Sequence, residues 1–272
     1  MVTASYSHET PPRSKPKSRD SLITVATCNL NQWALDFAGN LQRILLSCQQ
    51  ARSLGASYRL GPELEICGYG CEDHFYESDT YLHCWESLAK LIEHGATDDG
   101  LLCDFGMPLL KGGVRYNCRV LVVNREIVLI RPKMAMADGG NYRESRYFAA
   151  YRPLPDGQPE TFQLPLVWKQ KFGQSFVPFG NVVIKGLDGT TIGCESCEEL
   201  WTPQAAHIQM ALVGVEIIGN GSGSHHELRK LKPSSFGNAR CKKYPINPFL
   251  RSKDIHPCGR WSVEDRSTSW KQ

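Results

Sequence analysis

Short apolar segments alternate with amphipathic helical patterns along most of this chain, and this alternation is what most restricts its fold. A β-branched segment over 22–28 precedes a helical pattern over 40–55, and a strand over 58–60 precedes a helix over 78–94. Further strands are predicted over 101–107, 118–123, 127–130, 181–185, 190–194 and 215–218, with a loop over 151–175 and a helix over 204–212. Because no unit repeats along the chain, the pattern predicts an α/β fold in which helices pack over sheets.

The composition is that of an ordinary soluble protein, with 41% hydrophobic and 22% charged residues. A net charge of +3 is too small to indicate nucleic-acid binding, and no apolar run approaches the ~20 residues of a membrane span. The eleven cysteines are scattered through apolar segments, where reduced cysteine behaves as a small core residue. These features predict a reduced, cytoplasmic protein that binds neither nucleic acid nor membrane.

The two ends of the chain differ in character from the part between them. Residues 1–20 are polar and rich in serine and proline, which predicts a disordered leader. Residues 231–272 carry nine Lys or Arg against three Asp or Glu, are punctuated by proline, and show neither a strand nor a helix pattern. We therefore expect one domain over 21–230, followed by a basic tail that does not belong to the same fold.

A glycine turn followed by a cysteine is the first candidate for chemistry. Gly193 lets the backbone bend as a strand ends, and Cys197 is followed by a helix-compatible Glu-Glu-Leu-Trp. A side chain held on such a turn stands clear of the sheet edge, and the next backbone N–H points at the group that is attacked. Cysteine is the most reactive side chain that could stand there. The pattern predicts that Cys197 is a nucleophile.

Two other interpretations of this segment stay open from spacing alone. Cys194 and Cys197 form a C-x-x-C pair, which is typical of redox sites when it begins a helix after a strand. The pair could instead bind zinc if two further ligands joined it, and Cys67 with Cys71 is the available partner.

Two charged residues follow predicted strands, where α/β folds place their sites. Glu63 comes after the strand over 58–60, and Lys133 comes after the strand over 127–130. Taken singly, each is more simply interpreted as a solvated surface charge. Taken with Cys197, they supply the base and the cation that acyl transfer to a thiol requires.

These residues occur in the order of a known signature. Pro62-Glu63, Arg131-Pro132-Lys133 and Gly193…Cys197-Glu198 resemble the Glu–Lys–Cys motifs of the nitrilase, or carbon–nitrogen hydrolase, superfamily. Longer matches extend the resemblance to the amidotransferase domains of glutamine-dependent NAD(+) synthetases over about 22–230. They include Leu60-Gly61-Pro62-Glu63-Leu64-Glu65-Ile66-Cys67-Gly68-Tyr69-Gly70, Val114-Arg115-Tyr116-Asn117-Cys118-Arg119, Asn141-Tyr142-Arg143-Glu144, Ser196-Cys197-Glu198-Glu199-Leu200-Trp201-Thr202-Pro203 and Gly223-Ser224-His225-His226-Glu227-Leu228-Arg229-Lys230.

The resemblance assigns a role to each matching residue. It implies that Cys197 is the nucleophile, Glu63 the general base and Lys133 the stabiliser of the oxyanion, with help from the backbone N–H of Glu198. The residues that it implies hold glutamine are Tyr142, Ser224 and Arg229, or Lys230 in place of Arg229. It assigns no role to Cys194.

The resemblance also implies a four-layer α-β-β-α sandwich that self-associates through its helices. Glutamine hydrolysis would need no cofactor, while ATP and Mg²⁺ would act only in a synthetase domain that makes NAD from its deamidated form. No glycine-rich pyrophosphate loop follows residue 230.

The tail over 231–272 stands where the resemblance would place the last core strands, so we expect a C-terminally truncated domain with open sheet edges. Three functions remain: a working glutaminase, a non-catalytic remnant or interaction form, and a generic carbon–nitrogen hydrolase such as an amidase.

Overall fold

The computed structural model describes residues 23–224 and two short strands beyond them, 249–251 and 262–264. The helices are α1 (Phe37–Ser53), α2 (Ser78–Glu93), α3 (Glu144–Tyr147), α4 (Leu166–Phe172) and α5 (Ala206–Leu212). The first strands are β1 (Val25–Thr27), β2 (Tyr58–Leu60), β3 (Leu102–Lys111), β4 (Val114–Val123), β5 (Glu126–Pro132) and β6 (Glu160–Gln163). The others are β7 (Phe176–Phe179), β8 (Ile184–Lys185), β9 (Thr191–Ser196), β10 (Ile217–Gly221), β11 (Phe249–Arg251) and β12 (Ser262–Glu264).

The strands form two sheets. The larger has eight strands in the order β12-β1-β2-β3-β4-β5-β7-β6, and the smaller has four in the order β11-β10-β9-β8. Strands β1, β2 and β3 run parallel, which requires crossovers, and helices α1 and α2 supply them. Strands β9 and β10 are also parallel and are connected through α5. The alternation seen in the sequence therefore arises from these strand–helix–strand units.

Three apolar clusters separate the layers. The largest lies between helices α1 and α2 and the eight-stranded sheet, and Ile44, Leu88 and Val120 are fully buried in it. The second joins the two sheets face to face, with Tyr58 and Leu121 from one sheet meeting Ile217 from the other. The third packs α5 against the outer face of the four-stranded sheet. The order helix, sheet, sheet, helix confirms the predicted four-layer α-β-β-α sandwich.

The two sheets approach closely at a glycine of β10. A Cβ atom on Gly219 would overlap the hydroxyl of Tyr58, which lies on the facing sheet. That hydroxyl is fixed because it donates a 2.7 Å hydrogen bond to Asp104 Oδ2. The absence of a side chain at position 219 thus sets how near β10 and the loop that follows it can lie to β2.

Some predicted elements are confirmed, and others are wrong. The strand predicted over 58–60 is confirmed as β2, with the same first and last residues. Helix α1 begins at Phe37, three residues before the predicted start at Asn40, because Asp36 accepts a hydrogen bond from the backbone N–H of Gly39 and caps the helix.

The region over 151–175, predicted to be a loop, contains β6 and α4. These elements are short, and Pro165 lies between them. The Trp168 ring of α4 nevertheless packs edge-on against Trp85, with ring centroids 5.5 Å apart. Tertiary contact, rather than local pattern, stabilises them.

The tail was expected to contain no strand, and this is wrong at two places. Strand β11 pairs in parallel with β10, and β12 pairs antiparallel with β1. Strands β10 and β1, which would otherwise be edge strands, therefore each have a neighbouring strand. The predicted leader over 1–20 and the rest of the tail lie outside the described residues. Within the described part of the chain, no helix has the length and apolar character needed to cross a membrane.

Candidate active site

Cys197 stands at the junction of a strand and a tight turn. Strand β9 ends at Ser196, and a 3₁₀ turn runs from Cys197 to Trp201. The backbone at Cys197 has a φ of +40°, which is uncommon for a residue with a side chain. The thiol sulfur lies 3.3 Å from Ser222 Oγ and 3.5 Å from Ser224 Oγ, both in the loop after β10. Glu198, the predicted oxyanion donor, is the second residue of the turn.

Glu63 lies in the loop that follows β2 and is almost fully buried. Its Oε1 atom accepts a 2.7 Å hydrogen bond from Lys133 Nζ and a 2.8 Å hydrogen bond from Asn117 Nδ2. Its Oε2 atom accepts a 3.2 Å hydrogen bond from the backbone N–H of Gly223. The Glu63 carboxylate therefore contacts residues of the larger sheet through Oε1 and, through Oε2, the loop after β10 that carries Ser222 and Ser224.

A buried arginine fixes the loop that carries Glu63. Arg119 of β4 donates to the carbonyl oxygens of Gly61 and Pro62 at 2.9 and 3.0 Å. Its charge is paired with Asp104 at 2.7 Å. No role was predicted for Arg119 or Asn117. The available indication was that both alternate with apolar residues between Tyr116 and Val120, and buried polar groups require partners.

Lys133 is buried between two carboxylates. Its ammonium group donates to Glu63 Oε1 at 2.7 Å and to Glu144 Oε2 at 2.6 Å. Burial acts to lower the pKa of Lys133, but the negative charges of Glu63 and Glu144 outweigh it and hold this pKa above its ordinary value. The lysine therefore stays positively charged within the site.

Glu144 is a site residue for which the sequence analysis assigned no role, although it ends the quoted segment Asn141–Glu144. Besides Lys133, it accepts hydrogen bonds from the backbone N–H of Ala137 at 2.7 Å and from the Tyr69 hydroxyl at 2.6 Å. Burial, with the nearby charge of Glu63, raises the pKa of Glu144. The site thus has two glutamates around one lysine.

The same surroundings act on the thiol. Burial and the charge of Glu63 raise the pKa of Cys197, while Lys133 and the hydroxyls of Ser222 and Ser224 oppose the rise. The net direction is upward, so the resting cysteine carries its proton. A thiol in this state needs a base to become a strong nucleophile.

The sequence profile of the carbon–nitrogen hydrolase family matches residues 24–240 of this chain. The chain belongs to the carbon–nitrogen hydrolase family. A glutamine-dependent NAD(+) synthetase of Dictyostelium discoideum is 57% identical to it over 209 residues, which are 77% of this chain and 29% of that protein. The chain thus corresponds to less than a third of the length of this relative.

Solved structures agree with the family assignment. A glutamine-dependent NAD(+) synthetase from Cytophaga hutchinsonii superimposes with a TM-score of 0.66 at 26% identity, covering 79% of this chain and 33% of that one. An amidase from Nesterenkonia sp. superimposes with a TM-score of 0.61 at 16% identity, covering 88% of this chain and 79% of that one. The second likeness concerns the fold alone.

Only some of the residues expected to hold substrate in this carbon–nitrogen hydrolase lie among the described residues. Ser224 lies beside the thiol, as described above. Tyr142 lies edge-on to Tyr69, with ring centroids 6.2 Å apart, and both line a cavity of about 310 Å³ that Glu144 also borders. Arg229, and Lys230 as its alternative, lie outside the described residues. The structure therefore brings five predicted residues together in the loops that follow the strand ends: Glu63, Lys133, Cys197, Ser224 and Tyr142.

The cysteines considered as redox or zinc partners of Cys197 lie in apolar clusters. Cys194 points between the two sheets and is fully buried there, and burial raises its pKa. Cys67 and Cys71 belong instead to the cluster beneath the helices. Because Cys194 and the pair Cys67 and Cys71 lie in different clusters, the arrangement does not favour the zinc interpretation. Cys194 faces the space between the sheets, whereas the Cys197 thiol contacts Ser222 and Ser224, so a redox pair is not favoured either. Within residues 23–224, no group of three or more His, Cys, Asp or Glu residues is arranged to hold a metal ion.

Proposed function

We propose that this chain hydrolyses the side-chain amide of glutamine and that the ammonia serves ATP-dependent NAD(+) synthesis from deamido-NAD(+). The observation that carries the proposal is the buried contact of Glu63 with Lys133, beside a thiol whose pKa both charges influence. The choice of glutamine is supported by the relatives that share about 57% identity with this chain and are glutamine-dependent NAD(+) synthetases.

Cys197 is proposed to attack the amide carbon. Glu63 takes the thiol proton as the sulfur–carbon bond forms, and it delivers that proton to the nitrogen as the carbon–nitrogen bond breaks. Ammonia leaves and a thioester remains. Water then attacks the thioester with Glu63 again acting as the base, so that one glutamine and one water give one glutamate and one ammonia.

The negative charge that develops on the amide oxygen requires donors in a dry site. Lys133 supplies a cation that is itself fully buried. The backbone N–H of Glu198, which directly follows the nucleophile, is proposed as the second donor. Because Lys133 already contacts two carboxylates before substrate enters, it is oriented without reorganisation during the reaction.

Tyr142, Ser224 and Arg229 are proposed to hold the glutamine. The hydroxyl of Ser224 lies within 3.5 Å of the sulfur, close enough to contact an atom of the bound amino acid as well as the thiol. Tyr142 borders the neighbouring cavity, where a polar amino-acid substrate could lie against its ring.

The remaining parts of the proposal concern partners. Hydrolysis itself is proposed to need no cofactor, while ATP and Mg²⁺ act in a synthetase domain that receives the ammonia. The chain is further proposed to assemble with copies of itself or with such a domain, in the cytoplasm. The region 21–230 is proposed as the main part of the hydrolase domain, preceded by the leader over 1–20, with the tail over 231–272 adding β11 and β12 to its sheets.

Ammonia release from glutamine by the purified chain tests the proposal, beside the variants Cys197→Ala and Cys194→Ala. Cys194 is a matched control because it lies three residues before Cys197, within β9, and is buried between the two sheets. Each protein is first checked for cooperative urea unfolding. Release is expected from the wild type and from Cys194→Ala, and it is expected to be absent from Cys197→Ala.

Other outcomes would discriminate the alternatives. Hydrolysis of simple aliphatic amides at a higher kcat/KM than glutamine would identify a general amidase. A folded chain that hydrolyses neither, even after mixing with a synthetase domain, would contradict the proposal and favour a non-catalytic role.

A further inference from the structure

A further buried carboxylate, Glu199, lies two residues after the nucleophile and joins the two strand ends that precede Lys133 and Cys197. Glu199 is 1% exposed, and its Oε1 atom accepts a 2.6 Å hydrogen bond from the backbone N–H of Met134. Its Oε2 atom accepts from the backbone N–H of Ser196 and from the guanidinium of Arg131. Its donors thus include the residue directly after Lys133 and the residue directly before Cys197.

We infer that Glu199 and Arg131 are positioning residues that fix the separation of Lys133 and Cys197. Arg131 and Lys133 come from the eight-stranded sheet, whereas Cys197 follows a strand of the four-stranded sheet. Sheets that meet only through apolar side chains can slide by fractions of an ångström. A carboxylate that accepts directional hydrogen bonds from both sheets does not allow such sliding. It therefore sets the distance between Lys133 and Cys197.

The guanidinium is itself held in place. Arg131 is fully buried and directs Nε and Nη2 at Asn181 Oδ1, at 3.3 and 3.2 Å. Asn181 lies in the segment between β7 and β8. Arg131 therefore anchors Glu199 to a fixed point of the larger sheet, and the ion pair is more than a local cap of the 3₁₀ turn.

The arrangement requires a carboxylate rather than a group of similar shape. In Glu199→Gln, one end of the side chain becomes an NH₂ donor. If that end faces Met134, it meets a backbone N–H; if it faces the other way, it meets both Ser196 N–H and Arg131. Either orientation places donor against donor, so the isosteric amide cannot keep both connections.

The inference rests on the proposed function, and its first test is steady-state glutamine hydrolysis by Glu199→Gln and Arg131→Lys. A displacement of about 1 Å between reacting groups can reduce turnover by ~10²-fold. We expect kcat to fall about 10- to 100-fold in Glu199→Gln, with KM within about threefold, because the proposed glutamine contacts are untouched. Arg131→Lys keeps the charge but loses the fork, and it should lie between Glu199→Gln and the wild type.

Both substitutions disturb a buried ion pair, so a control for general destabilisation is needed. Leu88→Ala removes a fully buried side chain of α2, far along the chain from the site, and leaves every contact of Glu199 unchanged. It should lower the urea midpoint at least as much as Glu199→Gln while kcat stays within about twofold of wild type. If Leu88→Ala reduces kcat as strongly as Glu199→Gln, the positioning role is wrong.

Alkylation of Cys197 by iodoacetamide, followed by peptide mass spectrometry across pH, tests the inference without glutamine. Removing the Glu199 charge, by electrostatics alone, would lower the midpoint pH of alkylation. Displacing Lys133 from the thiol would raise it, because Lys133 opposes the rise in the Cys197 pKa. We expect a higher midpoint in Glu199→Gln, and a lower or unchanged midpoint overturns the inference. Since this readout needs no turnover, an inactive wild type would count against the proposed function alone.

Discussion

The close contact between Gly219 of β10 and Tyr58 of β2 can be tested by placing a methyl group at position 219. In Gly219→Ala, the new Cβ would lie well inside 3.0 Å of the Tyr58 hydroxyl, a separation that Cβ atoms do not tolerate. Tyr58 cannot rotate away easily, because it is fully buried and bonded to Asp104. The next atoms, Tyr58 Cζ and Leu60 Cδ1, are 3.2 and 3.3 Å away, which is tight but tolerable.

The size of the effect follows from these distances. Overpacking of this kind costs about 1–3 kcal/mol of the free energy of unfolding. Tyr58→Phe alone loses a hydrogen bond to a charged carboxylate, at about 1.5–3 kcal/mol. In the double variant the overlapping hydroxyl is gone, so the methyl group meets only the tolerable contacts. We expect the double variant to be more stable than the sum of the single effects by about 1–3 kcal/mol.

Urea unfolding of the wild type, the two single variants and the double variant measures this coupling. A value of 1 kcal/mol or more in the stated direction supports the close packing of β10 on β2. Additivity within about 0.5 kcal/mol would refute it, because it would mean that the methyl group never meets the hydroxyl. Ammonia release by Gly219→Ala should fall as well, since the loop after β10 carries Ser222 and Ser224.

Two further predictions concern charge and protonation. Glu144→Gln keeps the shape of the side chain but removes one of the two negative charges on Lys133. We expect kcat for glutamine to fall about 10- to 100-fold, and unaltered turnover would show that Glu63 alone suffices. Burial raises the pKa of Cys28 to about 12, against about 8.5 in an unfolded chain. The unfolded state therefore loses this proton first, and the contribution to stability is full below pH ~8.5 and falls by up to about 1.4 kcal/mol per pH unit above it. Unfolding of wild type and Cys28→Ala between pH 8 and 10 should give a shallower decline in the variant, and equal slopes would contradict this.

The sequence predicted that a turn carries the nucleophile, and such a turn exists at Cys197. The expected bend at Gly193 is wrong, because Gly193 lies inside β9, where the absence of a side chain leaves room for Met210. The turn itself is formed by residues close together in the chain. The strand before Glu63 is equally local. Both depend on backbone geometry over a few residues, which is what sequence patterns report.

The contacts that complete the site could not be predicted in this way. Asn117 and Arg119 act on a loop more than fifty positions earlier in the chain. Nothing near them in sequence indicates which carboxylate or carbonyl they will meet, and only the pairing of β3 with β4 brings them there. Glu144 was within a quoted motif, yet its contact with Lys133 depends on how the loop between them folds back.

The left-handed backbone at Cys197 has a consequence for the evolution of the site. Such a conformation strongly disfavours β-branched side chains and favours glycine. Among the side chains that could replace the thiol as a nucleophile, serine is compatible with the backbone conformation of the turn. Threonine is β-branched and would force the backbone into another conformation. If selection for turnover were relaxed, glycine is the substitution that the backbone itself would favour, so loss of the nucleophile would stabilise the turn. A lineage that abandoned catalysis would therefore be expected to drift toward glycine at this position before the surrounding polar contacts are lost.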